Sequence, residues 1–304
     1  MQRNATLSPS WPIAPWQVRC LLAGMIVLLL AAGLLAAEPA REVIPPPKEE
    51  AFTIDIIKVG CKKVRVERFE PKADGQKHSA IVLLPGVDGM VKPFGQIYRD
   101  QAVRYAKNGY VMLIVHYLDS TDTSNDKLAD IQERFRHFFD PAKGKNPAQL
   151  KSMDKHFADW TETVMQTLKY AAKLPTVDRK RIGLAGFSLG AALALMAANE
   201  MNGQVAAVAE LFGGLPRDKC KGLKRLPPTL MIHGDIDERV PPRRAYLLES
   251  TLKAKKCSVE FIMYQRVDHC WWGATFLDLL AARSRIDAFF KKHLQDVPAE
   301  NARK

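Results

Sequence analysis

The apolar and polar positions of the chain change period several times, and each change marks an element. Ala80–Leu84 (AIVLL) and Tyr110–Val115 (YVMLIV) are continuous apolar runs. Runs of that length are expected of strands covered on both faces. Between them Gly95–Lys107 places Ile97, Ala102, Val103 and Ala106 toward one side, as a helix does. This is a βαβ unit, and a parallel sheet follows from it. Upstream, Phe52–Val59 and Lys63–Phe69 read as antiparallel edge strands, with Val64 and Val66 alternating with charge. Downstream, Lys155–Lys173 is amphipathic through Phe157, Trp160, Val164, Leu168 and Ala171. Strands at Arg181–Ala185, Val205–Phe212, Thr229–Ile232 and Val259–Tyr264 then alternate with helices at Leu189–Glu200, Pro242–Lys255 and Ala274–Leu294. Residues 52–295 therefore form one doubly wound α/β domain, followed by a tail at 296–304. The polar stretch Ser120–Ser152 breaks the rhythm and holds Phe135, Phe138 and Phe139, which suits a partly helical cap or pocket wall.

The N-terminus follows another pattern. Arg3 and Arg19 are the only charges before Glu38, and Cys20–Ala37 has none. A basic leader, an apolar stretch and small residues at its end describe a signal sequence, or a retained signal-anchor, over residues 1–37. Either form exports the domain: to the periplasm or beyond if cleaved, to a membrane through residues 20–37 if retained. Residues 38–51, with Pro39 and Pro45-Pro46-Pro47, make a semi-rigid tether.

Composition adds two constraints. The net charge is +12, with basic residues scattered as in Lys62-Lys63 and Arg179-Lys180-Arg181. No arginine-rich arm, zinc-finger spacing or aromatic-interleaved basic strip accompanies them, which argues against a nucleic-acid partner. Beyond the leader stand Cys61, Cys220, Cys257 and Cys270, none in a C-x-x-C pair. Zinc and thioredoxin-like readings are thus weak, while an exported chain has room for one or two disulfides.

Chemistry concentrates at three places. Gly186-Phe187-Ser188-Leu189-Gly190 fits G-x-S-x-G, between an apolar strand and a helix of small residues. That motif needs a sharp strand-to-helix turn that leaves the serine hydroxyl exposed. A plain helix N-cap is the competing role for Ser188. An acid and a histidine are then expected after later strands, in that order. His233-Gly234-Asp235-Ile236-Asp237-Glu238-Arg239-Val240-Pro241 follows one strand, and Val267-Asp268-His269-Cys270 the next. Asp237 fits H-G-x-x-D-x-x-V-P as the acid, Asp235 is expected to brace the turn, and His233 to serve as a structural hydrogen-bonder. His269 alone fits the order for a base, with an exposed loop histidine as the alternative. The oxyanion of an acyl-transfer intermediate needs two backbone N–H groups. Leu189 is expected to supply one and Val87, in Pro85-Gly86-Val87-Asp88-Gly89, the other. Trp271 and Trp272 are equally suited to core packing and to lining a pocket.

LPGVDG, GFSLG, HGDIDERVP and VDH together resemble the dienelactone hydrolase family of α/β-hydrolases, over nearly the whole chain after the tether. The resemblance implies a sheet of about eight strands, no metal or other cofactor, and hydrolysis of a small-molecule ester or lactone. Ser188 departs from the namesake enzymes, whose nucleophile is cysteine, and points to a general carboxylesterase. Cys270 lacks an elbow and reads as a packed thiol or half of a disulfide. A serine peptidase of the same fold, and a binding protein that kept the fold without the activity, are the alternatives.

Overall fold

The computed structural model describes residues 52–121, 123 and 147–295. The leader, the tether, the C-terminal tail and most of the expected cap lie outside the described residues. Eight strands form one sheet: β1 (Thr53–Val59), β2 (Lys62–Phe69), β3 (His78–Leu84), β4 (Tyr110–Val115), β5 (Val177–Phe187), β6 (Ala207–Leu211), β7 (Thr229–Gly234) and β8 (Val259–Tyr264). Their order across the sheet is β1-β2-β4-β3-β5-β6-β7-β8. β1 and β2 pair antiparallel, as does β2 with β4, and every other neighbour is parallel.

Helices cover both faces. They are α1 (Phe94–Lys107), α2 (Pro147–Ala171), α3 (Leu189–Glu200), α4 (Arg217–Gly222), α5 (Arg243–Ala254) and α6 (Phe276–Phe290). The continuous apolar strands split their residues between two cores. Ala80, Val82, Leu84, Val111, Leu113 and Val115 face α2, α3 and α5. Ile81, Leu83, Tyr110, Met112 and Ile114 face α1 and α6 instead. A period of two on a strand with no polar face leaves no alternation to read, and both faces are dry because both are covered.

Several boundaries differ from those the pattern predicts. β5 begins at Val177 rather than Arg181, because Val177 already pairs with His78 and the polar Asp178–Arg181 bulges out of register before Ile182 pairs with Ala80. α2 begins at Pro147, inside the expected cap, since proline suits the first helical turn. α4 has no counterpart in the sequence reading; six residues with one buried apolar position, Cys220, carry no period. The last helix changes to a π turn at Lys291–Gln295. Among the described residues no helix is long and apolar enough to cross a membrane, and no group of three metal-ligating side chains comes together.

Candidate active site

β5 delivers Ser188 at the carboxyl edge of the sheet. The chain turns there with φ 51° and ψ −113° at Ser188, a left-handed conformation that an L-residue adopts only under constraint. The constraint is packing. A Cβ on Gly186 would overlap the Gly190 carbonyl, and one on Gly190 the Leu84 carbonyl. Strand and helix can approach this closely only because both positions are glycine. Ser188 makes no side-chain cap to α3, so the N-cap role does not hold. Its Oγ lies 2.9 Å from His269 Nε2 instead.

His269 stands in the loop after β8 and Asp237 in the loop after β7. His269 Nδ1 lies 2.8 Å from Asp237 Oδ2. All three side chains are buried, at 4% exposure for Ser188, 3% for Asp237 and 6% for His269, so His269 is no exposed loop histidine. Asp237 uses its other oxygen as well: Oδ1 accepts the Arg239 and Val240 amides at 2.9 and 2.8 Å. The turn is therefore braced by Asp237 itself and not, as expected, by Asp235, whose buried Oδ1 has no partner among the described residues. His233 does hold structure, with Nε2 2.8 Å from the Val240 carbonyl. Asp268 ties the two loops together, since Oδ1 accepts the Glu238 amide at 3.0 Å and the His269 amide.

Burial opposes a charged His269, but the neighbouring Cys270 sulfur and the Asp237 carboxylate outweigh it and push the imidazole up, to about 10. Cys270 has a left-handed backbone and is half-buried, and it is a free thiol like Cys61, Cys220 and Cys257. No disulfide joins these four. Trp271 packs edge-on against Phe212 at 4.7 Å and Tyr264 at 5.4 Å, so it backs the histidine loop. Phe212 in turn stands edge-on to His269 at 6.1 Å. Trp272 is half-buried and closes the loop, its carbonyl accepting the Asp268 amide at 2.7 Å.

The loop after β3 faces this edge. Among the described residues neither the Val87 nor the Leu189 amide has a backbone acceptor, which leaves both as donors. Two tyrosines that carry no signal in the sequence pin the loop. The Tyr98 hydroxyl accepts the Gly86 amide at 3.0 Å and donates to Asp88 Oδ2 at 3.4 Å. The Tyr117 hydroxyl donates to the Pro85 and Gly86 carbonyls, both at 2.9 Å. Asp88 is the third unforeseen group. Burial pushes its carboxyl up to about 6, with the Tyr98 hydroxyl, His269 and Arg239 opposing. A hydroxyl, an imidazole oriented by a carboxylate, and two unengaged amides on converging loops are the parts that acyl transfer requires.

The model of the dienelactone hydrolase family matches residues 65–275. The chain belongs to the dienelactone hydrolase family. Its fold is accordingly similar to that of the dienelactone hydrolase from Anabaena variabilis ATCC 29413, at 19% identity and a TM-score of 0.58, over 81% of this chain and all of that one (100%). A thermophilic esterase from Thermogutta terrifontis gives 18% identity and a TM-score of 0.58, over 83% of this chain and 96% of its own. Among curated proteins, the uncharacterized peptidase YtmA of Bacillus subtilis (strain 168) is 23% identical over 270 residues, 77% of this chain and 92% of that protein. Esterases and peptidases thus both stand among the likenesses of this dienelactone hydrolase family member.

Proposed function

We propose that the chain is a serine hydrolase of carboxylic esters or lactones, working through an acyl-enzyme. The observation that carries this reading is the unbroken relay from Ser188 Oγ through His269 to Asp237, with 2.9 and 2.8 Å links, on a strained elbow beside two available amides. In the neutral imidazole that acts as base, His269 Nδ1–H donates to Asp237 and the Nε2 lone pair faces the serine. As Ser188 Oγ attacks the carbonyl carbon, its proton passes to Nε2, and the carbonyl electrons move to an oxyanion held by the Val87 and Leu189 amides. Collapse of that intermediate expels the alkoxide, which takes the proton from Nε2. Water then repeats the sequence on the acyl-serine, and the acid leaves with Ser188 restored. No step calls on a metal or cofactor. Residues 20–37 lead the chain to export or to a membrane, and the partner is a small molecule rather than nucleic acid.

Hydrolysis of p-nitrophenyl acetate and longer acyl esters by wild type and Ser188→Ala tests the assignment. Turnover abolished by that one change supports it, and equal turnover by both proteins refutes it. The likeness to YtmA favours a peptidase as second reading. Peptide p-nitroanilides cleaved faster than esters would select it.

A further inference from the structure

The strand between the nucleophile and the acid carries a carboxyl that this mechanism leaves idle. Glu210 on β6 is wholly buried, and among the described residues neither of its carboxyl oxygens has a hydrogen-bond partner. It pairs with Gly186 of β5 on one side and Met231 of β7 on the other. Its Oε1 lies 2.6 Å from where a Cβ on Gly213 would be, a point also 2.5 Å from Ala191 Cβ and 3.0 Å from the Ser188 carbonyl oxygen. Gly213 therefore separates the carboxyl from the nucleophile's own backbone by the width of one missing methyl.

Among the described residues no cation forms an ion pair with this group. β5 contributes Gly186 and α3 carries no ionisable side chain before Glu200. His233, two residues beyond Met231 on β7, has its Nε2 against the Val240 carbonyl. Cys220 of α4 feels both Glu210 and Arg244 of α5. The charge that reaches Glu210 is Asp237, of the same sign. Burial pushes the Glu210 carboxyl up to about 8, with Asp237 adding to the rise and the Gly213 amide, near but outside hydrogen-bond geometry, opposing it.

We propose that Glu210 is a positioning residue for the hydrolytic centre, seating the Gly213 turn against Ser188 as an uncharged acid and displacing both that turn and Asp237 when it ionises. The proposal rests on the serine-hydrolase reading. A buried carboxylate without a cation is unfavourable enough to rearrange what surrounds it. The nearest responses are to draw donors in through Gly213 and to push Asp237 away. The first moves the backbone of the nucleophile, the second the partner of the base. Both responses act on the groups that move the proton, so kcat should change and KM should hold.

The test is the pH dependence of ester hydrolysis by the full chain and by Glu210→Gln and Glu210→Met. The ratio of wild-type to variant kcat should fall more than about tenfold between pH 7.5 and 9.5 at level KM, because the His269 limb is common to all three proteins and cancels. The same pH profile in all three proteins would overturn the proposal. Melting temperature supplies a reading independent of activity. Between the unfolded pKa of about 4.3 and the folded value, the folded chain alone keeps this proton, so stability drains as pH rises through that window. The melting temperature of Glu210→Gln minus that of wild type should therefore widen by about 4 °C or more from pH 5 to pH 8 and then level off. A constant difference would overturn the neutral-acid state. A widening difference in a wild type that hydrolyses no ester would instead overturn the hydrolase reading, and the positioning role with it.

Discussion

Asp237→Asn isolates what the acid does, because the two oxygens of Asp237 have different work. Oδ1 is committed to the Arg239 and Val240 amides and Oδ2 to His269 Nδ1. An asparagine keeps one oxygen and gains an NH2, so it has two ways to sit. With its oxygen on the two backbone amides, the NH2 points at Nδ1, which must then accept. The proton moves to Nε2, and His269 faces Ser188 with a donor where a base is needed. With the amide flipped, His269 keeps its tautomer, but two backbone donors lose their acceptor and face an NH2. Each lost buried bond costs about 1 kcal/mol and each unsatisfied donor about 1–3 kcal/mol. The first arrangement therefore wins by about 3–4 kcal/mol. At 1.36 kcal/mol per factor of ten, the competent tautomer falls to about one part in several hundred. Stopped-assay or continuous hydrolysis of p-nitrophenyl acetate should show kcat reduced about 10²–10³-fold with KM within about twofold. A variant within tenfold of wild type would refute the division of labour between the two oxygens.

Three further outcomes follow from the same geometry. Tyr117→Phe removes the hydroxyl bonded to the Pro85 and Gly86 carbonyls while keeping the ring on Trp160, and kcat for ester hydrolysis should fall about tenfold; unchanged kcat would mean the loop holds itself. Cys270 raises His269, so the imidazole of the wild type gives up its proton at higher pH, and Cys270→Ala should move the acid limb of kcat/KM to lower pH. Superimposable limbs would remove Cys270 from the electrostatics of the base. Burial would raise Glu67, but Arg99 and His116 hold it down, at about 2. That depressed value contributes stability above the unfolded pKa of about 4.3, lost as pH falls toward 2. Arg99→Met strands the Glu67 carboxylate and should cost about 3–5 kcal/mol by urea unfolding at pH 7; a loss under 1 kcal/mol would contradict the pairing.

The parallel sheet was legible because the apolar runs of β3, β4 and β7 leave no other assignment, and the elbow because three small residues sit between a strand and a helix. Ser188, Asp237 and His269 could be named because each follows a strand at the same edge. The supports of that site could not. Tyr98 and Tyr117 lie in a helix and a short turn with no local mark, and their hydroxyls matter only once folding brings them 12 and 31 residues from Gly86. The motif separates Asp237 from Asp235 as the acid, but only the turn's geometry decides that Asp237 takes the backbone amides as well. Glu210 lies inside the apolar stretch that marks β6, where a lone acid looks like an interruption rather than a group.

Strand order also bears on how the centre assembles. β6 meets β7 through Val208 and Thr229, close neighbours along the chain, whereas β3 meets β5 through Ile81 and Gly183, about a hundred residues apart. The half-sheet that carries serine, acid and base is thus built from local crossovers, which are the contacts a collapsing chain finds early. The oxyanion loop belongs to the other half and arrives by long-range closure. A chain caught between those two events would own the proton relay and the Leu189 amide but not the Val87 amide, so the proposed reactivity would be complete only when the whole sheet has closed.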